Sequence, residues 1–255
     1  MTFNTIHTDV TLVKNKENNP QNHKIEKVIT IDGPAGAGKS TIAQMLATKL
    51  KWSYVTTGAF YRCFAYLLIK NHEIKKDDEC FKFEYLDQYN KYIDILNTNI
   101  NINLQTGSVY LGENEISFEL KSVSVSKWSS VCAENAKVRE LLLPLQRKIA
   151  LESNGAVVDG RDMGSIVFPN ALLKIYLTAS PEARAKRRAL ELQKMGQQVS
   201  YNEIFAEMKD RDNRDVHRSV APLICAPDSI KIDSTNQTAE KICELIMKEL
   251  KNYKG

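Results

Sequence analysis

The sequence predicts an α/β protein built on a doubly wound parallel β-sheet, and three observations support this fold class. A short β-branched apolar run at residues 27–32 leads into a glycine-rich segment at 33–41 and then into a helical pattern. Further short apolar runs, typical of buried parallel strands, alternate with helical patterns along the chain. One stretch near residues 92–117 instead has the two-residue period of a small antiparallel insert. In such folds, ligands bind where the carboxyl ends of the parallel strands meet.

The N-terminal residues differ in composition from the rest of the chain. Residues 1–24 are polar and rich in Asn, Thr and Lys, so they lack the apolar surface needed to form a core. We therefore expect a flexible N-terminal extension followed by one folded unit over residues 25–255. Within it, the first helix precedes a short strand at 52–55 and a helix at 58–70 whose apolar residues share one side.

The region between residues 92 and 111 predicts an antiparallel sheet of three strands. The segments 92–96, 101–104 and 109–111 alternate apolar and polar residues with period two. Turn-forming residues separate the segments. We expect this sheet as an insertion between helices.

The second half of the chain returns to alternating helices and strands. Helical patterns run from beyond Ser117 to about Ser153, and Gly155 is expected to end them as a helix C-cap. Three apolar runs predict the remaining strands, at residues 156–159, 172–177 and 230–233. Three hydroxyl residues predict helix starts, namely Ser180 before a proline, Ser200 in a capping box and Thr238 before the last helix.

Composition is that of an ordinary globular protein and disfavours several function classes. The 255 residues are 43% hydrophobic and 26% charged, and the net charge of +4 does not by itself indicate a nucleic-acid partner. The five cysteines include no C-x-x-C pair, which favours reduced thiols over disulfides or a zinc site. No apolar run approaches the roughly 18 residues of a membrane span, and no secretory signal pattern opens the sequence. We expect a cytoplasmic protein.

The glycine-rich segment matches the pattern G-x-x-x-x-G-K-[ST] between a strand and a helix, the context in which it binds nucleoside triphosphates. Its glycines let backbone N–H groups turn towards phosphate oxygens, and the helix N-terminus adds partial positive charge. Lys39, expected to be exposed, would reach the β- and γ-phosphates, and Ser40 would ligate Mg²⁺. The alternative is that this segment is only a flexible turn before a helix. The strand before it and the helix after it disfavour that interpretation. The expected ATP contacts in this phosphate-binding loop are Gly33, Pro34, Ala35, Gly36, Ala37, Gly38, Lys39, Ser40 and Thr41.

Two further clusters at strand ends carry groups that suit phosphate chemistry. Thr57 and Arg62 lie where the second strand enters a helix, and they could hold a second phosphate group. Asp159 directly follows a buried strand and could orient a Mg²⁺-bound water. Arg161 and Asp162 beside it could pair with each other or address phosphate and a polar base or sugar. The alternatives are a capped helix with Arg62 facing solvent and a structural salt bridge in a tight turn.

A third cluster is rich in arginine but nearly neutral overall. Six arginines follow helical spacing in two predicted helices, namely Arg184, Arg187, Arg188, Arg211, Arg214 and Arg218. Phosphoryl transfer needs mobile arginines that close over the transferring group and exclude water, and Arg184 and Arg188 are expected to contact ATP. A solvated helix carrying salt bridges is the alternative, which the phosphate-binding loop weakens.

Taken jointly, these clusters resemble the bacterial cytidylate kinases. The resemblance is carried by T-G-A-F-Y-R at 57–62, D-G-R-D-M-G-S-I-V-F-P at 159–169 and R-D-x-R-D-x-x-R-S-V-A-P-L at 211–223. It extends from about residue 25 to the C-terminus, and adenylate and thymidylate kinases do not share the last two segments. It implies a monophosphate-binding region at about 57–135, with its β-insert near 92–117, and a mobile helical lid at about 181–222.

The resemblance also implies roles for individual residues. Thr57, Arg62 and Arg139 would hold the CMP phosphate, while Ser130, Arg161 and Asp162 would address the cytosine and its surroundings. Asp215, with Arg211 and Arg218, would act from the lid on sugar and phosphates. The implied catalytic set is Lys39, Arg161, Asp162, Arg211, Asp215 and Arg218.

This sequence departs from the family pattern at two places. Thr56 stands where an acidic residue is common, and residues 135–137 lack the usual proline before Val138 and Arg139. We expect neither change to abolish activity. The second leaves the position of the segment around Ser130 open.

The activity that the resemblance implies is transfer of the γ-phosphoryl group of ATP to CMP and dCMP, with Mg²⁺ as cofactor. No catalytic base is needed, because the CMP phosphate is already an anionic nucleophile that positioning and charge neutralisation can activate. One alternative is the same fold with UMP or AMP as acceptor. Another is a non-catalytic P-loop protein bound to nucleic acid, against which the interleaving of basic and acidic residues argues. We expect a monomer with small-molecule substrates and neither a nucleic-acid nor a membrane partner.

Overall fold

The computed structural model describes residues 26–74 and 90–252. In chain order its elements are β1 (Glu26–Asp32), α1 (Lys39–Leu50), β2 (Ser53–Thr56), α2 (Gly58–Lys70), α3 (Asn90–Asn99), β3 (Ile100–Ile102), β4 (Val109–Leu111), β5 (Asn114–Glu115), α4 (Val123–Glu134), α5 (Ala136–Leu151), β6 (Ala156–Gly160), β7 (Ala171–Thr178), α6 (Pro181–Lys194), α7 (Tyr201–His217), β8 (Ile230–Asp233) and α8 (Ala239–Asn252). The predicted extension at 1–24 lies outside the described residues.

Five strands form a parallel sheet in the order β2-β6-β1-β7-β8, as the doubly wound fold class predicts. The register places Ile31 of β1 opposite Asp159 of β6, and Asp32 opposite Tyr176 of β7. The phosphate-binding loop therefore leaves the central strand at the same edge as the polar residues that follow β6.

Helices cover both faces of this sheet. The side chains of each strand alternate between the two faces, and apolar side chains project from both. Ile29 and Ile31 of β1 pack with apolar residues of α1 and α8, including Leu46 and Ile246. The opposite face, on the side of Val28, packs with the larger side chains of α2, α4 and α5, including Phe60, Phe64, Trp128 and Leu142. Burial on both faces explains why the core strands are continuous apolar runs rather than alternating ones.

The antiparallel insert exists, but its predicted first strand is wrong. Residues 92–96 belong to helix α3, and the three strands are β3, β4 and β5. Tyr92, Ile93 and Leu96 are buried, a spacing of one, three and four residues that places them on one side of a helix. A short apolar run fits both periods, and packing of this side against the core selects the helix.

Helix ends agree with the sequence at two positions and differ at two others. The Ser180 hydroxyl accepts the Ala183 N–H, and the Thr238 hydroxyl accepts the Lys241 N–H, as caps. Ser200 precedes α7 but makes no side-chain capping bond. Gly155 is not the C-cap of α5, which ends at Leu151. It has φ +114 and packs on Trp52, where an added Cβ would lie 2.6 Å from the indole ring.

Four cysteines lie in the described residues and are free thiols: Cys63, Cys132, Cys225 and Cys243. Within the two described ranges, no helix combines the length and apolar composition needed to cross a membrane.

Candidate active site

The phosphate-binding loop contains glycines at positions where a larger residue would not fit. At Gly33 and Gly36, neighbouring atoms lie too close for a side chain. Gly33 has φ +145, and a Cβ there would lie 2.0 Å from the Leu177 carbonyl oxygen. Gly36 has φ +72 and faces the backbone of Arg184 and the side chain of Met208, both 2.9 Å from an added Cβ. Gly38, at φ +94, is the N-cap of α1 and adds no capping side chain. The loop is therefore held between β7 and the helices α6 and α7.

Lys39 is buried, so the predicted exposure is wrong. Only 6% of the residue is accessible, and its Nζ donates to the Pro34 carbonyl oxygen at 2.7 Å within the loop. Burial, with a contribution from the positive charge of Arg161, lowers the pKa of the Lys39 amine well below its ordinary value. The loop thus curls around its own lysine and places it among other cations.

Ser40 and Asp159 meet where α1 begins and β6 ends. The Ser40 hydroxyl donates to Asp159 Oδ2 at 2.8 Å. A hydroxyl beside one carboxylate fits Mg²⁺, which is held by few protein ligands and keeps waters and substrate phosphates as the others. Within the described ranges, no three His, Cys, Asp or Glu side chains converge as a metal cage.

Asp32, which the sequence does not single out, is a buried carboxylate at the end of β1. It accepts the N–H groups of Met163 and Gly164 at 2.9 and 2.7 Å. Burial raises its pKa to about 6 against the opposing effect of these two bonds. The carboxylate ties the strand that enters the phosphate-binding loop to the turn that follows Asp162. An acid immediately before Gly33 is the signal that could have revealed it.

A continuous chain of ion pairs joins residues from three distant segments. Arg139 of α5 pairs with Asp162 Oδ2, and Arg218 Nη2 lies 3.4 Å from Asp162 Oδ1. Arg218 Nη1 is 3.9 Å from Asp215, and Asp215 accepts from Arg161 Nε at 2.8 Å. The structure therefore brings together five of the seven charged residues that the resemblance assigned to acceptor recognition and to the lid.

Two neighbouring guanidinium groups determine the ionisation of Asp215. Burial opposes the charged carboxylate, but Arg161 and Arg211 outweigh it, so the pKa of Asp215 lies below its ordinary value. Burial likewise opposes the charge of Arg161, yet Asp215 raises the pKa of that guanidinium. Both members of the pair remain ionised at neutral pH.

Besides Arg187 of α6, three cations at this site have no carboxylate partner within the described parts of the chain. Lys39 bonds a carbonyl, Arg62 Nη1 donates to the Leu120 carbonyl at 3.2 Å, and Arg211 Nη1 donates to the Ser126 hydroxyl at 2.9 Å. Arg211 Nε is buried and has no hydrogen-bond partner among the residues that the structure describes. Burial, and then Arg188, lowers the pKa of Arg62 to about 10, and burial, and then Arg161, lowers that of Arg211 to about 9. Such a group of positive charges favours an anion.

The arginines of α6 lie at the rim of the phosphate-binding loop. Arg184 donates to the Ala35 carbonyl at 3.1 Å and pairs with Asp212 of α7 at 2.5 Å. Arg187, absent from the expected ATP contacts, donates to the Ser234 hydroxyl at 3.0 Å, and that hydroxyl donates to the Ala37 carbonyl at 2.8 Å. Arg188 pairs with Glu191 and donates to the Lys121 carbonyl at 2.9 Å.

Helix α4 supplies hydroxyls that face α7. Ser130 is buried, and its hydroxyl accepts a hydrogen bond from Arg214 Nε at 3.4 Å. The Ser126 hydroxyl accepts one from Arg211 Nη1. Thr57 is also buried, and its hydroxyl donates to the Asp159 carbonyl at 2.8 Å, so this proton already has an acceptor.

The two departures from the family pattern are accommodated by local contacts. Asn135 accepts the N–H groups of Lys137 and Val138 as the cap of α5, and Thr56 pairs with Asp159 in the sheet register.

Comparison with known proteins gives the family. The family model described as "Cytidylate kinase" matches residues 29–252. A cytidylate kinase from Caldicellulosiruptor saccharolyticus is 42% identical over 86% of this chain and 93% of its own length. One from Alkaliphilus oremlandii is 43% identical over 88% of this chain and 97% of its own length. Among solved structures, a gluconokinase from Sinorhizobium meliloti aligns with 90% of this chain and 94% of its own at 12% identity and a TM-score of 0.45, too low to support an argument.

Proposed function

This chain belongs to the cytidylate kinase family, and we propose that it transfers the γ-phosphoryl group of ATP to CMP and to dCMP. The reaction yields ADP and the corresponding nucleoside diphosphate. The positions of the two substrates and the roles of individual side chains are part of this proposal.

The observation that carries the proposal is the group of three cations without a carboxylate partner. Lys39 lies in the phosphate-binding loop, Arg62 on α2 and Arg211 on α7. Their charges act on one another, since, after burial, Arg211 contributes to lowering the pKa of Lys39 and Arg62 contributes to lowering that of Arg211. Their charge is opposed by burial and by neighbouring cations, and phosphate oxygens would compensate it. Two phosphate-bearing substrates need such groups on both sides of the transferring phosphoryl group.

The donor side is assigned to the phosphate-binding loop, with Arg184 at its rim. Backbone N–H groups and Lys39 would bind the β- and γ-phosphates. Mg²⁺, bound with ATP, neutralises charge on those phosphates, and Ser40 and Asp159 are the residues that would hold it. Arg188 would need to turn from Glu191 to reach ATP.

The acceptor side is assigned to Arg62 and to the ion-pair chain. Arg62 and Arg139 would hold the CMP phosphate, and Asp162 would keep Arg139 and Arg218 in place. Arg161 and Ser130 would address the base and sugar, with Asp215 fixing Arg161. Catalysis then consists of orienting an anionic nucleophile and neutralising the transferring group, with no side chain required as a base.

A coupled assay of ADP release tests this function with CMP, dCMP, UMP and AMP as acceptors at equal concentrations. We expect the highest kcat/KM with CMP and ADP release that depends on the acceptor. A higher kcat/KM with UMP or AMP would favour the alternative acceptor. No acceptor-dependent release, together with salt-sensitive binding of random RNA, would favour the nucleic-acid alternative.

A further inference from the structure

Tyr54 of β2 is a buried residue that contacts the proposed metal-binding carboxylate. Its hydroxyl donates to Asp159 Oδ1 at 3.3 Å, while Ser40 donates to Asp159 Oδ2 at 2.8 Å. Tyr54 pairs with Val157 in the sheet, and Asp159 lies two residues further along β6, so both side chains share one face. Each oxygen of this carboxylate therefore accepts from a hydroxyl on a different element.

The turn of the β-insert holds the ring of Tyr54 in place. The Tyr54 N–H donates to the Leu104 carbonyl at 2.7 Å, which joins the strand to the turn between β3 and β4. At Gly107, whose φ is +75, an added Cβ would lie 2.5 Å from Tyr54 Cε1. The same turn accepts a bond from Gln44 of α1 through the Thr106 carbonyl at 2.8 Å. The turn therefore contacts both the strand of Tyr54 and the helix of Ser40.

We propose that Tyr54 is a positioning residue: its hydroxyl, seated by the turn at 103–108, fixes the Asp159 carboxylate beside Ser40. The chemistry supports this role, since a carboxylate held at both oxygens loses the freedom to rotate, and preorganised ligands bind a cation with less ordering. The inference rests on the proposed function, because it assigns Asp159 to Mg²⁺ bound with ATP.

Tyr54→Phe keeps the ring and removes only the hydroxyl, so it is the first test. Calorimetry measures the affinity for a non-hydrolysable ATP analogue with and without Mg²⁺. The affinity with Mg²⁺ divided by the affinity without it is the metal gain. We expect Tyr54→Phe to reduce this gain at least threefold while the metal-free affinity stays within twofold of wild type. Tyr110→Phe removes a hydroxyl that lies 3.5 Å from Glu115 on the insert and should leave both affinities unchanged.

A second pair of variants tests whether the turn at 103–108 positions the ring of Tyr54. Gly107→Ala and Gly112→Ala introduce a side chain at similar positive φ, +75 and +63, but only the first meets Tyr54. Among the described residues, a Cβ added at Gly112 has no atom within 4 Å apart from its chain neighbours. We expect Gly107→Ala to reduce the metal gain at least threefold and Gly112→Ala to leave it unchanged. In the Tyr54→Phe background, Gly107→Ala should add less than a twofold further loss, because both act through one hydroxyl.

The outcomes separate this inference from the function on which it rests. If wild type shows no Mg²⁺-dependent gain, the proposed function itself is contradicted. If wild type shows the gain and folded Tyr54→Phe retains it, or loses metal-free affinity equally, only the role of Tyr54 is overturned. If Gly107→Ala reduces the Mg²⁺-dependent gain equally in wild type and in Tyr54→Phe, the role of the turn at 103–108 in positioning Tyr54 is overturned.

Discussion

Arg161 Nε lies 2.8 Å from Asp215 Oδ2, so a guanidinium that follows β6 is bonded to a carboxylate near the end of α7. The two side chains are only 16% and 5% exposed. Arg211 and Arg214, on the same helix, bond Ser126 and Ser130 of α4. These contacts hold helix α7 across the carboxyl edge of the sheet.

Removing the loop lysine should affect the chemical step more than substrate binding. Lys39→Ala is expected to lower kcat by roughly 10²–10³-fold, the range found for a lost charge-stabilising donor, because the amine matters most as the γ-phosphoryl group separates. Steady-state kinetics on the folded variant measures this. Lys49→Ala, an exposed lysine on the same helix, is the matched control. Near-normal turnover of folded Lys39→Ala would contradict the assignment of the loop.

Arg139 is expected to act on the acceptor rather than on ATP. Arg139→Met should raise the KM for CMP far more than that for ATP, since truncating one member of a buried charge pair costs about 2–5 kcal/mol. Initial rates with each substrate varied in turn give the two values. Lys137→Met, at an exposed position two residues earlier, should change neither. A change in the KM for CMP below threefold, or an equal change for ATP, would count against this role.

Stability should depend on pH through Asp215. Its pKa is lowered in the folded protein, so its contribution is present above the ordinary value of 3.8 and is lost as the pH falls through the lower folded value. Asp215→Asn is expected to cost about 3–5 kcal/mol at pH 7, because it leaves Arg161 buried without its partner. Urea unfolding measured between neutral pH and pH 3 should show this difference shrinking below about pH 4.

Asp210→Asn, on the exposed side of the same helix, is the control for Asp215→Asn. It should leave the free energy of unfolding within about 0.5 kcal/mol of wild type, as surface substitutions usually do. A difference for Asp215→Asn that stays constant with pH would contradict the electrostatic explanation.

The lid should open without ligands and close with both. Amide hydrogen exchange in residues 205–222 is expected to be faster than in the core strands at 28–31 and 157–159 when no nucleotide is present. CMP together with a non-hydrolysable ATP analogue should slow it, because the arginines of α7 gain anionic partners. Mass spectrometry of exchanged peptides makes the measurement. Exchange that is equally slow in both states would identify α7 as a rigid structural helix.

The amino-acid sequence by itself determined the parallel sheet and the place of the phosphate-binding loop. These features depend on local patterns, because a β-branched run, three glycines and a helix start specify backbone geometry over neighbouring residues. The family resemblance added the acceptor residues. Thr57, Arg62, Arg161 and Asp162 lie within its contiguous segments, whereas Ser130 and Arg139 lie outside them. The structure confirms strands β1, β2, β6, β7 and β8 and helix α2 where those patterns predict them.

Only the tertiary structure decided features that depend on distant partners. Residues 92–96 fit both a strand and a helix, and packing against the core selected α3. Lys39 is buried, and β7, α6 and α7 pack against the loop that contains it. The contact of Tyr54 with Asp159 joins residues 105 positions apart, and that of Arg161 with Asp215 joins residues 54 positions apart. Local propensity carries no information about such pairs, since their free energy exists only once the sheet has brought its strand ends together.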